Sequence, residues 1–330
     1  MHMADALVSP AVAAVTGIVS GAIIVIAAKK VKNSKRENIV PLMGVMGAFI
    51  FAAQMINFSI PGTGSSGHIV GGVLLAALLG PWTALITLTS VLIVQCLIFA
   101  DGGLMALGGN IFNMAICTCL IAYPLVFRPL IGKFPVSTSR LIAVCVLTCV
   151  IGLELGALAV TVETEASHIT ALPMSEFLLF MIPIHLAIGI GEGLATAAVL
   201  YFIQKYKPEL LAQDSQLEPV VNEKSWFGKP VLIFAILALI IGGTFSWTAS
   251  SNPDGLEWSI FQVTGQTEPV VNAPGKAYGI MQNIQESTAL MPDYNTTFAG
   301  IIGGVIVVIV IWILSSLLQY SKKIVPKQNE

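Results

Sequence analysis

The tightest constraint on this chain is the length and spacing of its apolar runs. Stretches near 7–28, 39–57, 81–100, 107–131, 138–162, 176–204, 230–249 and 297–319 each hold about twenty predominantly apolar residues, enough for a helix to cross roughly 30 Å of hydrocarbon. A shorter run, IVGGVLLAALLG, occupies about 69–80. Hydrocarbon offers no partner to main-chain N–H and C=O groups, so a spanning run has little choice but the helix. Only 10% of the residues are charged and 55% are hydrophobic, against roughly 25% charged in a soluble globular protein. The chain is expected to be an all-α, polytopic transmembrane helical bundle of about nine spans.

The charges orient that bundle. With the N-terminus external, nine crossings make 29–38, the turn near 80–81, 128–140, 205–229 and 320–330 internal, and these segments hold every Lys and Arg except Lys276. Such asymmetry is the positive-inside rule, and dropping one span would reverse it for every later loop. The expectation is an external N-terminus and a cytoplasmic C-terminus, in the inner membrane of a prokaryotic cell. Acidic residues lie on the outer side instead, among them Asp5, Asp101, Glu163, Glu165, Asp254 and Glu257. The polar stretch 207–229 reads as a cytoplasmic linker between a seven-span unit, 1–206, and a two-span unit, 230–330. Within the latter, about 250–296 is either a small external lobe or a mobile loop. The five cysteines, Cys96, Cys117, Cys119, Cys145 and Cys149, all fall inside predicted spans and read as small packing residues. There is no G-x-x-x-x-G-K-[ST] phosphate loop, so ATP-driven work would need another chain to bind the nucleotide. No nucleic-acid partner is expected.

Of the four histidines, His2, His68, His168 and His185, the first two fall on the external side of this topology. Covalent geometry gives a histidine at position 2 a special capacity. The α-amine of Met1, the main-chain nitrogen of His2 and an imidazole nitrogen of His2 can bind one metal together, closing a five- and a six-membered ring. A second imidazole, from His68 in the loop PGTGSSGH, would complete four nitrogens. Planar nitrogen coordination suits Ni(II) or Cu(II), whereas Zn(II) prefers a tetrahedron. The main-chain nitrogen must lose its proton, so affinity should fall in acid. On spacing alone a second reading stays open, in which both are solvated surface residues.

The segments MHMADALVSP, GTGSSGHIVGG, FADGGLMALGGNIFNMA and HLAIGIGEG, in this order, closely resemble the CbiM/NikM family of cobalt and nickel transport proteins, the substrate-capture membrane components of energy-coupling factor transporters. The likeness covers about residues 1–206. SNPDGLEW, at 251–258, resembles the small PDGLE-containing companion component (NikN/CbiN-like), here fused to the C-terminus. The resemblance implies a metal site built from the Met1 amine, His2 and His68, with Ni2+ or Co2+ as transported substrate and no cofactor. It also implies partners: a transmembrane coupling component and one or two cytoplasmic ATPases, besides membrane lipids. Family members often begin MHIPDG. Here Met3, Ala4 and Ala6 depart from that pattern while Asp5 is kept, which leaves the path of the terminal segment open.

Four further polar residues lie within spans. Glu192 should face the bundle interior, because an ionised carboxylate at a helix centre costs about 2.5–3.5 kcal/mol on insertion scales. His185, seven residues earlier, shares its helical face, and a buried network that fixes packing is the favoured role over metal contact. Asn110 and Asn113 share a face and either orient a site imidazole or bond across helices. Nickel is favoured over cobalt on planar nitrogen geometry, with cobalt uptake for cobalamin synthesis as the close alternative. A membrane metalloenzyme using Glu192 and His185 is a more distant rival, as is a scaffold without substrate. The first lacks an H-E-x-x-H zinc signature.

Overall fold

The computed structural model describes residues 1–32, 39–211, 229–244, 249–269, 275–294 and 299–324. Of the expected linker, 212–228 lie outside the described residues. The expected runs all become helices: α1 (Pro10–Lys32), α2 (Ile39–Gln54), α3 (Gly72–Leu79), α4 (Pro81–Phe99), α5 (Leu107–Ile131, with a widened π-type stretch over Ile111–Phe127), α6 (Thr138–Ser167), α7 (Met174–Tyr206), α8 (Lys229–Thr244) and α11 (Ala299–Ile324). Two shorter helices, α9 (Gly255–Thr264) and α10 (Lys276–Thr288), lie between α8 and α11. Among the described residues, α1, α4, α5, α6, α7 and α11 are long and apolar enough to cross a membrane.

One expectation needs correction. The run at 69–80 is helical only over the eight residues of α3, about 12 Å at 1.5 Å per residue. Glycines bound it, Gly71 in the left-handed region at φ 80° and Gly80 at φ 83° before Pro81, where a side chain would be strained. The chain is also not wholly helical. Phe58–Ile60 (β1) and Ser65–Gly67 (β2) pair antiparallel, with Ser59 opposite Ser66. This hairpin carries the Gly-rich loop and delivers His68.

Lipid-like exposure sorts the helices. α1 leaves Val15, Ile18 and Val25 exposed, and α7 does the same with Leu179, Leu186 and Leu194, as expected of faces solvated by hydrocarbon. α4, by contrast, is enclosed in the bundle, with 78% of its span window buried. Small residues permit the tightest helix contact: a Cβ at Gly189 of α7 would stand 2.8 Å from the Cα of Val150 in α6. The cysteines are all buried and free of disulfides.

The bundle has two chemically distinct ends. At one, Lys30 of α1 stacks on Trp82 at the start of α4, 4.2 Å from the ring centre. Nearby in the chain order, Arg140 donates through Nε and Nη2 to the Leu130 carbonyl, and Gln204 pairs with the main chain of Val136. At the other end the N-terminal segment is folded into the bundle, and Met1, Met3, Leu7 and Val8 are buried. Asn110 grips Met3, accepting from its N–H (2.7 Å) and donating to its carbonyl (3.0 Å), while Gly103 N–H also donates to that carbonyl. The Asp5 carboxylate accepts from Ala106 N–H at 2.9 Å. Ala4 takes φ −80°, close to the value a proline would fix, so the terminal path survives the missing Pro.

Candidate metal centre

Three segments converge on the Met1 amine. Its nitrogen lies 3.2 Å from His68 Nε2 and donates to Asp254 Oδ2 at 2.7 Å. Two nitrogens bound cis to one ion at about 2 Å each are separated by about 2.8 Å. The Met1–His68 pair is therefore close to chelating separation before any ion enters. The His2 and His68 rings stack with centroids 5.3 Å apart. Among the described residues no three His, Cys, Asp or Glu side chains form a metal cage by themselves. A metal at this place needs main-chain and terminal nitrogen.

A hydrogen bond fixes where His68 carries its lone pair. His68 Nδ1 lies 3.2 Å from the Ile69 carbonyl, which can only accept, so the ring proton is on Nδ1 and Nε2 presents its lone pair to Met1. At His2 both ring nitrogens face acceptors. Gln54 Nε2 donates to the Val70 carbonyl (2.8 Å), so Gln54 Oε1 accepts from Gln95 Nε2 (2.8 Å), and Gln95 Oε1 faces His2 Nε2 at 3.2 Å. His2 Nδ1 faces Asp101 Oδ1, also at 3.2 Å. The neutral ring has one proton for these two acceptors. Nδ1 is the nitrogen that closes a six-membered ring with the main-chain nitrogen of His2, and the Asp101 carboxylate beside it favours a cation there.

Burial keeps both imidazoles neutral. It pushes His68 down to about 3, with the Met1 ammonium and His2 adding to the fall. It also lowers His2, against the opposing pull of Asp101. Burial alone would raise the Asp254 carboxyl, yet the Met1 ammonium and His68 hold it well below the usual carboxylate range.

The PDGLE segment is built around this contact. Asp254 Oδ1 caps α9, accepting from Leu256 and Glu257 N–H at 2.8 and 2.9 Å, while Glu257 reaches back to Asp254 N–H at 3.0 Å. This capping box leaves Oδ2 for Met1. Ser66 N–H donates to the Pro253 carbonyl (2.8 Å) and Trp258 Nε1 to the Thr63 carbonyl (2.9 Å), which ties the segment to the hairpin. Tyr294 donates to Asp101 Oδ2 at 2.5 Å, and Gln285 to the Gly102 carbonyl at 2.7 Å. The described part of 250–296 is a docked lobe.

The remaining predicted residues fall as follows. Asn110 holds Met3, and Asn113 donates to Glu163 Oε2 at 3.0 Å rather than to a site imidazole. Glu192 accepts from the N–H groups of Val70 and Gly71 at 2.8 and 2.9 Å, satisfying donors at the start of α3 and fixing the chain just after His68. His185 is buried and bonds Met181. His168 is exposed at the end of α6. Sequence reasoning missed Gln54, Gln95 and Tyr294, and counted Asp101 and Asp254 only as external charge. The signal it had was their placement in FADGG and NPDGLE.

A sequence model of the cobalt uptake substrate-specific transmembrane region, CbiM, matches residues 2–210. The chain belongs to the CbiM family. A PDGLE domain matches residues 228–320 in addition. This CbiM-family chain is 32% identical over 317 residues to a putative fused nickel transport protein NikMN of Archaeoglobus fulgidus, an alignment covering 93% of it and 95% of the relative. It is 28% identical over 315 residues to the fused nickel transport protein NikMN of Rhodobacter capsulatus, covering 90% and 89%. A crystal structure of a truncated transition metal transporter matches with a TM-score of 0.55 at 32% identity, over 62% of this chain and 99% of that one. The CbiM-family chain is a multi-pass membrane protein.

Proposed function

We propose that this chain is the substrate-capture component of an energy-coupling factor transporter that takes up Ni2+, or Co2+ in its place. The donors are the Met1 amine, the main-chain nitrogen and Nδ1 of His2, and Nε2 of His68. The observation that carries the reading is the 3.2 Å approach of Met1 N to His68 Nε2, two buried nitrogens brought together from opposite ends of a 67-residue separation. Nickel is favoured because four nitrogens in a plane suit a d8 ion. Cobalt is the second reading, supported by the family's description as a cobalt uptake region.

The capture end faces outward and the basic end inward, in a nine-crossing arrangement with residues 68–71 completing the passage of α3. Residues 1–206 form the metal-capturing unit, 207–229 the cytoplasmic linker and 230–330 the PDGLE unit. The chain works with a transmembrane coupling component and cytoplasmic ATPases, which supply the ATP hydrolysis. The test is competition binding of Ni(II), Co(II), Zn(II) and Cu(II) to the purified chain and to His68→Ala. The variant should lose at least about tenfold in affinity for the preferred ion, roughly 1.4 kcal/mol. Unchanged binding by His68→Ala rejects this site.

A further inference from the structure

We propose that His185 is a further metal donor, the first nitrogen that receives the ion as it moves from the terminal chelate into the bundle. The inference rests on the Met1–His2–His68 reading above. His185 is 1% exposed, and its Nδ1 lies 2.8 Å from the Met181 carbonyl, which places the proton on that nitrogen. Nε2 therefore carries a lone pair, and it meets no hydrogen-bond partner among the described residues. Few buried polar atoms are left in that condition without a reason.

What Nε2 faces gives the reason. His185 lines the same small cavity, of about 10 Å³, as Met1, His68 and Asp254. Gly255 closes over it, for a Cβ there would stand 3.2 Å from His185 Cε1 and 3.4 Å from Nε2. His185 and His68 share one device: each has Nδ1–H tied to a carbonyl and an unprotonated Nε2, that of His68 facing Met1 and that of His185 without a partner among the described residues. A neutral imidazole is a good donor for Ni(II) and Co(II). It takes the ion without releasing a proton, so the transfer is a simple exchange. The bond from the metal to His68 Nε2 breaks as the bond to His185 Nε2 forms, and that exchange by itself moves no proton or electron; the Met1 amine and the His2 main-chain nitrogen take back their two protons as the ion leaves them. The second histidine thus gives the ion a nitrogen partner during departure from a site whose other donors must be reprotonated.

The experiment is a cycle of variants measured as Ni(II) affinity of the full chain in detergent, by competition with a chelator. His185→Asn keeps an N–H for the Met181 carbonyl and removes the metal lone pair. His68→Ala should bind at least tenfold more weakly than the parent, and His68→Ala/His185→Asn at least tenfold more weakly again. If the double variant binds as His68→Ala does, His185 is not a donor and the proposal falls, while the terminal chelate stands. If His68→Ala binds like the parent, the chelate reading fails and takes this inference with it. Should the double variant not fold, uptake by the assembled transporter carrying His185→Asn decides. A drop of at least tenfold at unchanged Ni(II) affinity supports the relay, and parental uptake overturns it.

Discussion

Gln95 shows how much of a metal site is decided away from its ligands. Its side-chain amide accepts at His2 and donates to Gln54, so it holds the His2 ring by Nε2. Gln95→Leu should lower Ni(II) affinity by about 10- to 100-fold, the usual effect of removing a group that orients a ligand. Parental affinity in a titration of that variant would show the His2 ring to be oriented by other groups. The buried imidazoles also predict an acid response. Burial, with the Met1 ammonium beside it, pushes His68 down from 6.5 to about 3, and burial lowers His2 too. A depressed histidine contributes stability that is present above the unfolded value and lost as pH falls through the folded one. The metal-free protein should therefore lose thermal stability between about pH 6.5 and 3, and His68→Ala should show a flatter profile in the same melts.

At the level of elements, the PDGLE lobe closes the site. It contributes Asp254 to the Met1 amine, Tyr294 to Asp101 and the carbonyls of Asn252 and Pro253 to Ser65 and Ser66 of the hairpin. Excision of 250–294, replaced by a short Gly/Ser connection, should leave α1–α7 folded and cut metal uptake several-fold. Full uptake without the lobe would make the fused unit dispensable. Much of this was legible in the sequence, and the reasons are physical. Apolar runs such as 138–162 announce helices because hydrocarbon permits little else, and His2 announces chelation because its geometry is covalent. α3 was less legible: an apolar run of twelve cannot say how much of it is helix, and here Gly71 and Gly80 trim it to eight. The β1–β2 hairpin hid in a Gly/Ser loop with no alternating pattern. Met1, the Gln95–Asp101 stretch and Asp254 are separated by long stretches of chain, so only the packed bundle brings them together.

For the whole molecule, the N-terminus is folded in, bonded to His68 and Asp254, and under the proposed site it is a functional group. One residue added before Met1 would convert the amine to an amide and move the free amine away from His68 and Asp254. A tag after Glu330 touches none of these residues. In matched uptake assays at equal membrane levels, the N-terminal extension should abolish transport and the C-terminal tag should not. Normal transport by the extended chain would return His2 to an ordinary surface role. The pairing of Met1 with Asp254, across from Asp101 at His2, has an electrical consequence as well. Empty, the pocket holds one ammonium and two carboxylates. Filled with a divalent ion on the proposed donors, it would have shed one proton from the amine and one from the main-chain nitrogen of His2, so its net charge would be the same. Loading is then an exchange of two protons for one ion. An electrogenic step would cost about 2.3 kcal/mol per charge for each 100 mV, whereas this exchange moves no net charge into the pocket. Occupancy should rise with pH and stay flat when proteoliposomes are polarised.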